Sequence, residues 1–138
     1  MRQTDEITDI STPVVQIWDG ILAMLLIGTL DSSRALVVME NLLQEIVRTG
    51  SGIAILDIPG VPTVDSMVAQ HLIKTVNATR LMGAECIISS IRPEIAQTIV
   101  HLGINLLQIV TKSSLASALK HAFASLRIEV GKAGVRPF

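Results

Sequence analysis

Apolar runs alternate along the chain with stretches in which apolar residues return every three or four positions. Pro13–Trp18 and Ile21–Gly28 read as two strands joined by Asp19-Gly20, a dipeptide that suits a type I′ hairpin turn with positive φ at both central residues. The second of these, ILAMLLI, lacks polar alternation, which predicts cover on both faces and a place well inside a sheet. After Asp31, a candidate N-cap, Leu36, Met39, Leu42, Leu43, Ile46 and Val47 recur at helical spacing up to Gly50. Ile53–Ile58 is the next strand. Asp65–Met82 is the next helix, with Val68, Leu72, Ile73, Val76 and Leu81 inward and Gly83 ending it. Ala84–Ser89 is a further strand, and Arg92-Pro93-Glu94 opens a short helix that turns Ile95, Ile99 and Leu102 to the core. Leu107–Val110 reads as the last strand, and Leu115, Ala118, Leu119, Ala122, Phe123 and Leu126 form the last helical stripe.

The order β-β-α-β-α-β-α-β-α predicts an α/β fold: a mixed, mostly parallel five-stranded sheet with an N-terminal β-hairpin, four helices and right-handed crossovers. Residues 1–12 lack periodicity and are expected to be a flexible N-terminal segment, 13–128 one domain, and 129–138 a flexible tail. At 138 residues and 49% hydrophobic, the chain has material for a single core.

Charge and composition then remove whole classes of function. Eleven basic residues against twelve acidic ones leave no positive surplus for phosphate neutralisation, so nucleic acid is not an expected partner. Trp18, Phe123 and Phe138 are the only aromatics, too few for a base-stacking platform. The longest apolar run, Ile21–Ile27, is far short of the roughly 20 residues that cross a bilayer. The acidic start MRQTDEITDIST does not read as an export signal, and a cytoplasmic protein is expected. Cys86, the single cysteine, lies in an apolar run and reads as a small buried hydrophobe. TGSG at 49–52 precedes a strand instead of following one, so it is no phosphate loop. His71, His101 and His121 fall on three different predicted helices, and neither a metal site nor a cofactor is expected.

Chemistry concentrates in IAILDIPGVPTVDSMVA, residues 53–69, where a strand runs through a Pro/Gly turn into a helix start. Ser66 sits in V-D-S-M-V, without the glycines of a hydrolase nucleophile elbow. Asp65 capping a helix with Ser66 in its first turn accounts for the pair structurally, at about 1 kcal/mol. The alternative is that the Ser66 hydroxyl accepts a phosphoryl group, adding roughly −1.5 to −2 charges. Asp57 and Asp65 would then shape the charge around the acceptor, and Pro62, Val64 and Met67 would offer apolar contacts to a docking partner.

LDIPGVPTVDSMVAQHLI, followed by RLMGAECIISSIRPEIAQTIVHLGI, resembles the STAS domains of anti-sigma-factor antagonists, in particular RsbR-type co-antagonists of the bacterial stressosome. The likeness spans Pro13–Arg127 and implies the STAS fold, which agrees with the order read from periodicity. It further implies a non-enzymatic regulatory scaffold that binds an RsbT-type serine/threonine kinase and assembles with other STAS proteins of the RsbS and RsbR types. Phosphorylation would fall on Ser66 and, in the RPEIAQT block, on Thr98. Two features depart from the RsbR pattern: serine stands where threonine is usual, and only twelve residues precede the hairpin where those proteins carry a sensor domain. A stand-alone RsbS-like protein or a fragment is expected. Two other readings stay open, a small-ligand or nucleotide-binding STAS module and a phospho-receiver using Asp57. The receiver fits poorly, because the opening hairpin offers Asp19 alone where an acidic pair is needed.

Overall fold

In the computed structural model, which describes residues 13–103 and 109–132, these runs become five strands and four helices. Strands β1 (Val14–Trp18) and β2 (Ile21–Ile27) pair antiparallel. β3 (Ile53–Gly60), β4 (Glu85–Ser89) and β5 (Val110–Lys112) then add in parallel, giving the order β1-β2-β3-β4-β5. Helices α1 (Ser32–Thr49), α2 (Ser66–Leu81) and α3 (Pro93–His101) connect the parallel strands, and α4 (Leu115–Lys132) follows β5.

Each crossover steps to the next strand in the same direction, so handedness sends α1, α2 and α3 to one face of the sheet. There Leu22, Met24 and Leu26 of β2, Leu56 and Ile58 of β3, and Ile88 of β4 pack under Leu42, Leu72 and Ile95 of the helices. On the other face Ile21, Ile53, Ile55 and Ile87 meet Ala118 and Ala122 of α4. The caps follow the sequence: the Asp31 carboxylate accepts from the Arg34 N–H at 2.9 Å, and Gly50 takes the left-handed conformation (φ 68°) that ends α1.

Four expectations need correction. β2 is not covered on both faces: Leu25 and Ile27 are exposed, because α4 packs on β3, β4 and β5 and leaves the far corner of the sheet bare. In the hairpin turn only Gly20 has positive φ (87°), not Asp19, and the register slips between Gln16 and Trp18. A β-bulge thus absorbs the twist that a type I′ turn would have supplied. The buried stripe of α1 is Ala35, Val38, Leu42 and Ile46, which leaves Leu36 and Val47 in solvent. Leu81 at the end of α2 is likewise exposed, while Thr75 and Thr79 are buried.

The final strand begins at Val110, where the predicted one ends; Leu107 and Gln108 lie outside the described residues, as do residues 1–12. The stretch assigned to a tail is helical as far as Lys132, and residues 133–138 lie outside the described residues. Among the described residues, no helix is long and apolar enough to cross a membrane.

Candidate functional site

The loop between β3 and α2 is pinned from beneath by two buried valines, Val61 and Val64, with Pro62 and Thr63 exposed between them. Its neighbour β2 holds it closely. The Gly28 N–H donates to the Gly60 carbonyl at 2.9 Å, and a Cβ on Gly60 would lie 3.1 Å from Ile27 Cγ2 and 3.3 Å from Ile27 Cα. Asp65 is extended (φ −83°, ψ 175°), and its carboxylate accepts from the Val68 N–H at 2.8 Å. It therefore caps α2. Buried Val64 just before the cap and buried Ala69 in the first turn share the core cluster, as in a hydrophobic staple. Val64 is for that reason unavailable for docking, which corrects its expected role.

Ser66 is the first residue of α2 and is exposed, as are Asp65 and Met67. Its hydroxyl has no hydrogen-bond partner among the described residues, since Asp65 already does the capping. The position is sterically open. It is also electrostatically mixed: free N–H groups at the helix start favour a phosphate there, and the Asp65 carboxylate opposes it. Thr98 lies elsewhere, half-buried on α3, with its hydroxyl donating to the Glu94 carbonyl at 3.1 Å.

Asp57 belongs to a different group. It alternates along β3 with Ile55, which places it on the α4 face of the sheet, away from α2. The carboxylate is buried, and its Oδ1 accepts from the hydroxyls of Ser89 and Ser90, both at 2.7 Å. Ser90 is the one non-glycine residue with positive φ (64°) among the described residues, and its N–H donates to the Lys112 carbonyl at 3.0 Å. Arg92 Nε donates to the Pro59 carbonyl at 3.2 Å. Together these contacts lash the turn before α3 to the end of β3. Sequence reading missed Ser89, Ser90 and Arg92 as partners, although the run IISSIR stands inside the block that carries the resemblance.

None of the clefts found among the described residues is lined by Ser66. One of about 380 Å³ is lined by Arg80, Glu85, Ser125 and Leu126 at the opposite end of the strands. Another of about 400 Å³ lies between α3 and β5, lined by Ile88, Ile99 and Ile109. Burial pushes the Cys86 thiol up to about 12, so it is not a nucleophile at neutral pH. Among the described residues, no group of three His, Cys, Asp or Glu side chains is placed to hold a metal ion.

A hairpin followed by β-α units, with a capped and exposed hydroxyl opening the second crossover helix, defines the pattern to be matched. The STAS domain family model matches residues 12–118. The chain belongs to the STAS family. The domain is 47% identical over 114 residues to the RsbT co-antagonist protein RsbRA of Bacillus subtilis, an alignment that covers 83% of this chain and 42% of that protein. It thus spans less than half the length of that relative. Among solved structures it superposes on a serine-to-glutamate variant of Moorella thermoacetica RsbS, with a TM-score of 0.73 and 25% identity, covering 84% of this chain and 97% of that one. The anti-sigma-factor antagonist SpoIIAA in its unphosphorylated form shares the fold, with a TM-score of 0.67 and 11% identity over 82% of this chain and 96% of its own. In sequence this STAS domain is thus similar to RsbR-type co-antagonist proteins, and in fold to RsbS and SpoIIAA.

Proposed function

We propose that this STAS domain is a non-enzymatic cytoplasmic switch: it binds an RsbT-type serine/threonine kinase, assembles with other STAS proteins, and is controlled by phosphorylation of Ser66. One observation carries the reading. Ser66 presents an exposed hydroxyl that does no structural work, on a helix start whose cap is supplied by its neighbour. In the transfer the Ser66 oxygen bonds to the γ-phosphorus of ATP, the bridging P–O bond breaks, ADP leaves, and the hydroxyl proton passes to a base of the kinase. The product adds roughly −1.5 to −2 charges beside Asp65 and Met67, where an apolar docking contact would have to desolvate them. Kinase release follows without unfolding. Thr98 is the second acceptor in this scheme, and its modification requires the hydroxyl to leave the Glu94 carbonyl.

Incubation with the partner kinase and labelled ATP, followed by phosphopeptide mapping, tests the scheme. Label is expected on Ser66, with at least a tenfold loss in Ser66→Ala, and Ser66→Asp should bind the kinase at least tenfold more weakly. Because the side chain is exposed and unbonded, both variants should keep their stability to within about 0.5 kcal/mol. Undiminished labelling of Ser66→Ala would refute the reading.

A further inference from the structure

Ser66 is not presented as part of an extended peptide. Val64 before it and Val68 and Ala69 after it are buried, and the Asp65 carboxylate is taken up by the Val68 N–H at 2.8 Å. The side chains that a peptide-reading enzyme would grip are thus committed to the core or to the helix cap. An enzyme acting on the folded domain must draw its binding energy from the exposed surface around the acceptor. In the first turn of α2 that surface offers Met67, which is 59% exposed.

More apolar surface stands at the root of the acceptor loop. Leu25 is 47% and Ile27 57% exposed at the end of β2, and Ile27 pairs with Gly60, where β3 gives way to the loop. The contact is close: a Cβ on Gly60 would lie 3.1 Å from Ile27 Cγ2, and the Gly28 N–H donates to the Gly60 carbonyl at 2.9 Å. The other side of the same root is held by Arg92, whose Nε donates to the Pro59 carbonyl at 3.2 Å. That guanidinium is exposed and has no carboxylate partner among the described residues, so its remaining donors are free for an acid on a partner. Exposed Pro59 and Pro62 carry the apolar band from Ile27 towards Met67. An apolar centre with a charged rim is the anatomy of a docking surface.

Position assigns the occupant. Gly60 lies six positions before Ser66, so the two are at most about 22 Å apart along even a fully extended chain. A standard interface of ~800 Å² per partner is a disc roughly 30 Å across, wide enough to cover Ile27 and Ser66 together. We propose that the kinase acting on Ser66 docks on this band, with Leu25 and Ile27 as its apolar anchor and Arg92 paired with a carboxylate of the kinase. The inference rests on the reading of Ser66 as the acceptor, and it names the surface that delivers that hydroxyl to the enzyme. Leu25, Ile27 and Arg92 are positioning residues: they meet the kinase and not the reacting atoms.

Steady-state kinetics of Ser66 labelling by an RsbT-type kinase and ATP, with the domain as the varied substrate, tests it. In Leu25→Ser/Ile27→Ser, KM should rise at least about tenfold with kcat within about twofold, the split expected of groups that bind without touching the reacting atoms. Arg92→Gln should raise KM about threefold at low salt, a difference that fades as ionic strength rises. Leu81→Ser, exposed at the far end of α2, should be labelled like the unaltered domain. If the double variant loses its circular dichroism spectrum, Ile27→Thr, which keeps the branch at Cβ and sheds apolar surface, takes its place with a KM rise of about threefold. Absence of label on Ser66 in the unaltered domain would remove the kinase reading and this surface together. Unchanged KM in folded patch variants of a labelled domain overturns the surface alone, as does a fall in kcat with KM unchanged. Patch variants that are labelled normally but change oligomeric state in sedimentation velocity would give the corner to a second copy and overturn the proposal too.

Discussion

Removing the Asp57 carboxylate should destabilise the domain while leaving the acceptor serine untouched. Oδ1 of Asp57 takes two hydroxyl hydrogen bonds at 2.7 Å, from a fully buried Ser89 and a half-buried Ser90. In Asp57→Ala the Ser89 hydroxyl has no acceptor and no access to water, which costs about 1–3 kcal/mol. The Ser90 hydroxyl can turn to solvent and loses about 0.5–1.5 kcal/mol. Relief from burying a carboxylate offsets part of this, leaving a net loss of about 2–3 kcal/mol. Asp57→Asn keeps a carbonyl oxygen in place and should cost about 1 kcal/mol. Urea unfolding followed by circular dichroism reads the effect. For a slope of about 1–3 kcal/mol/M, the alanine midpoint should fall by roughly 0.7–3 M with the slope unchanged. Ser89→Ala should cost much less in the Asp57→Ala background than alone, with a coupling of about 1 kcal/mol or more. An alanine variant within 0.5 kcal/mol of the parent, or strict additivity with Ser89→Ala, would refute the assignment of Asp57 as the latch between β3 and β4.

Ser90 holds a left-handed conformation that costs about 1–2 kcal/mol for any residue with a Cβ, so Ser90→Gly should be more stable than Ser90→Ala by about 1 kcal/mol. Equal stabilities, read by the same unfolding assay, would contradict this. Burial raises the Cys86 thiol from its ordinary 9.0 to about 12, so the folded state keeps a proton that the unfolded chain gives up. The contribution is whole below pH 9.0 and is lost as pH rises towards 12, by up to about 1.4 kcal/mol per pH unit. With no tyrosine in the chain to titrate alongside, Cys86→Ala should flatten the decline in stability above pH 9.0; parallel declines would count against it.

Periodicity was enough to order the strands, because each apolar run is a strand and each crossover stripe a helix. Helix phase was harder. Leu36 and Val47 outweigh Ala35 and Val38 on any hydrophobicity scale, yet packing chose the smaller pair as part of the stripe facing the sheet. The outer face of β2 misled for a different reason, since a run of aliphatics reports that a surface seeks cover without saying what covers it. The start of α2 at Ser66 was legible because a helix start is a local event, written in Asp65 and its followers. The Asp57 cluster was not, since Ser89 and Ser90 reach it across 32 and 33 positions of chain and no local pattern announces such a meeting. The same absence of long-range information let Val64 pass for a surface contact when it is a buried staple.

That, among the described residues, α4 alone closes the second face of the sheet has a consequence for biosynthesis. Since α4 comes after every strand in the chain, a nascent polypeptide whose first four strands have left the ribosome already has helices for one side of its sheet. Ile21, Ile53, Ile55 and Ile87 remain bare on the other until the last element emerges. During translation that unfinished surface is what a holding chaperone would bind, and a premature stop before Leu115 would leave it permanently open.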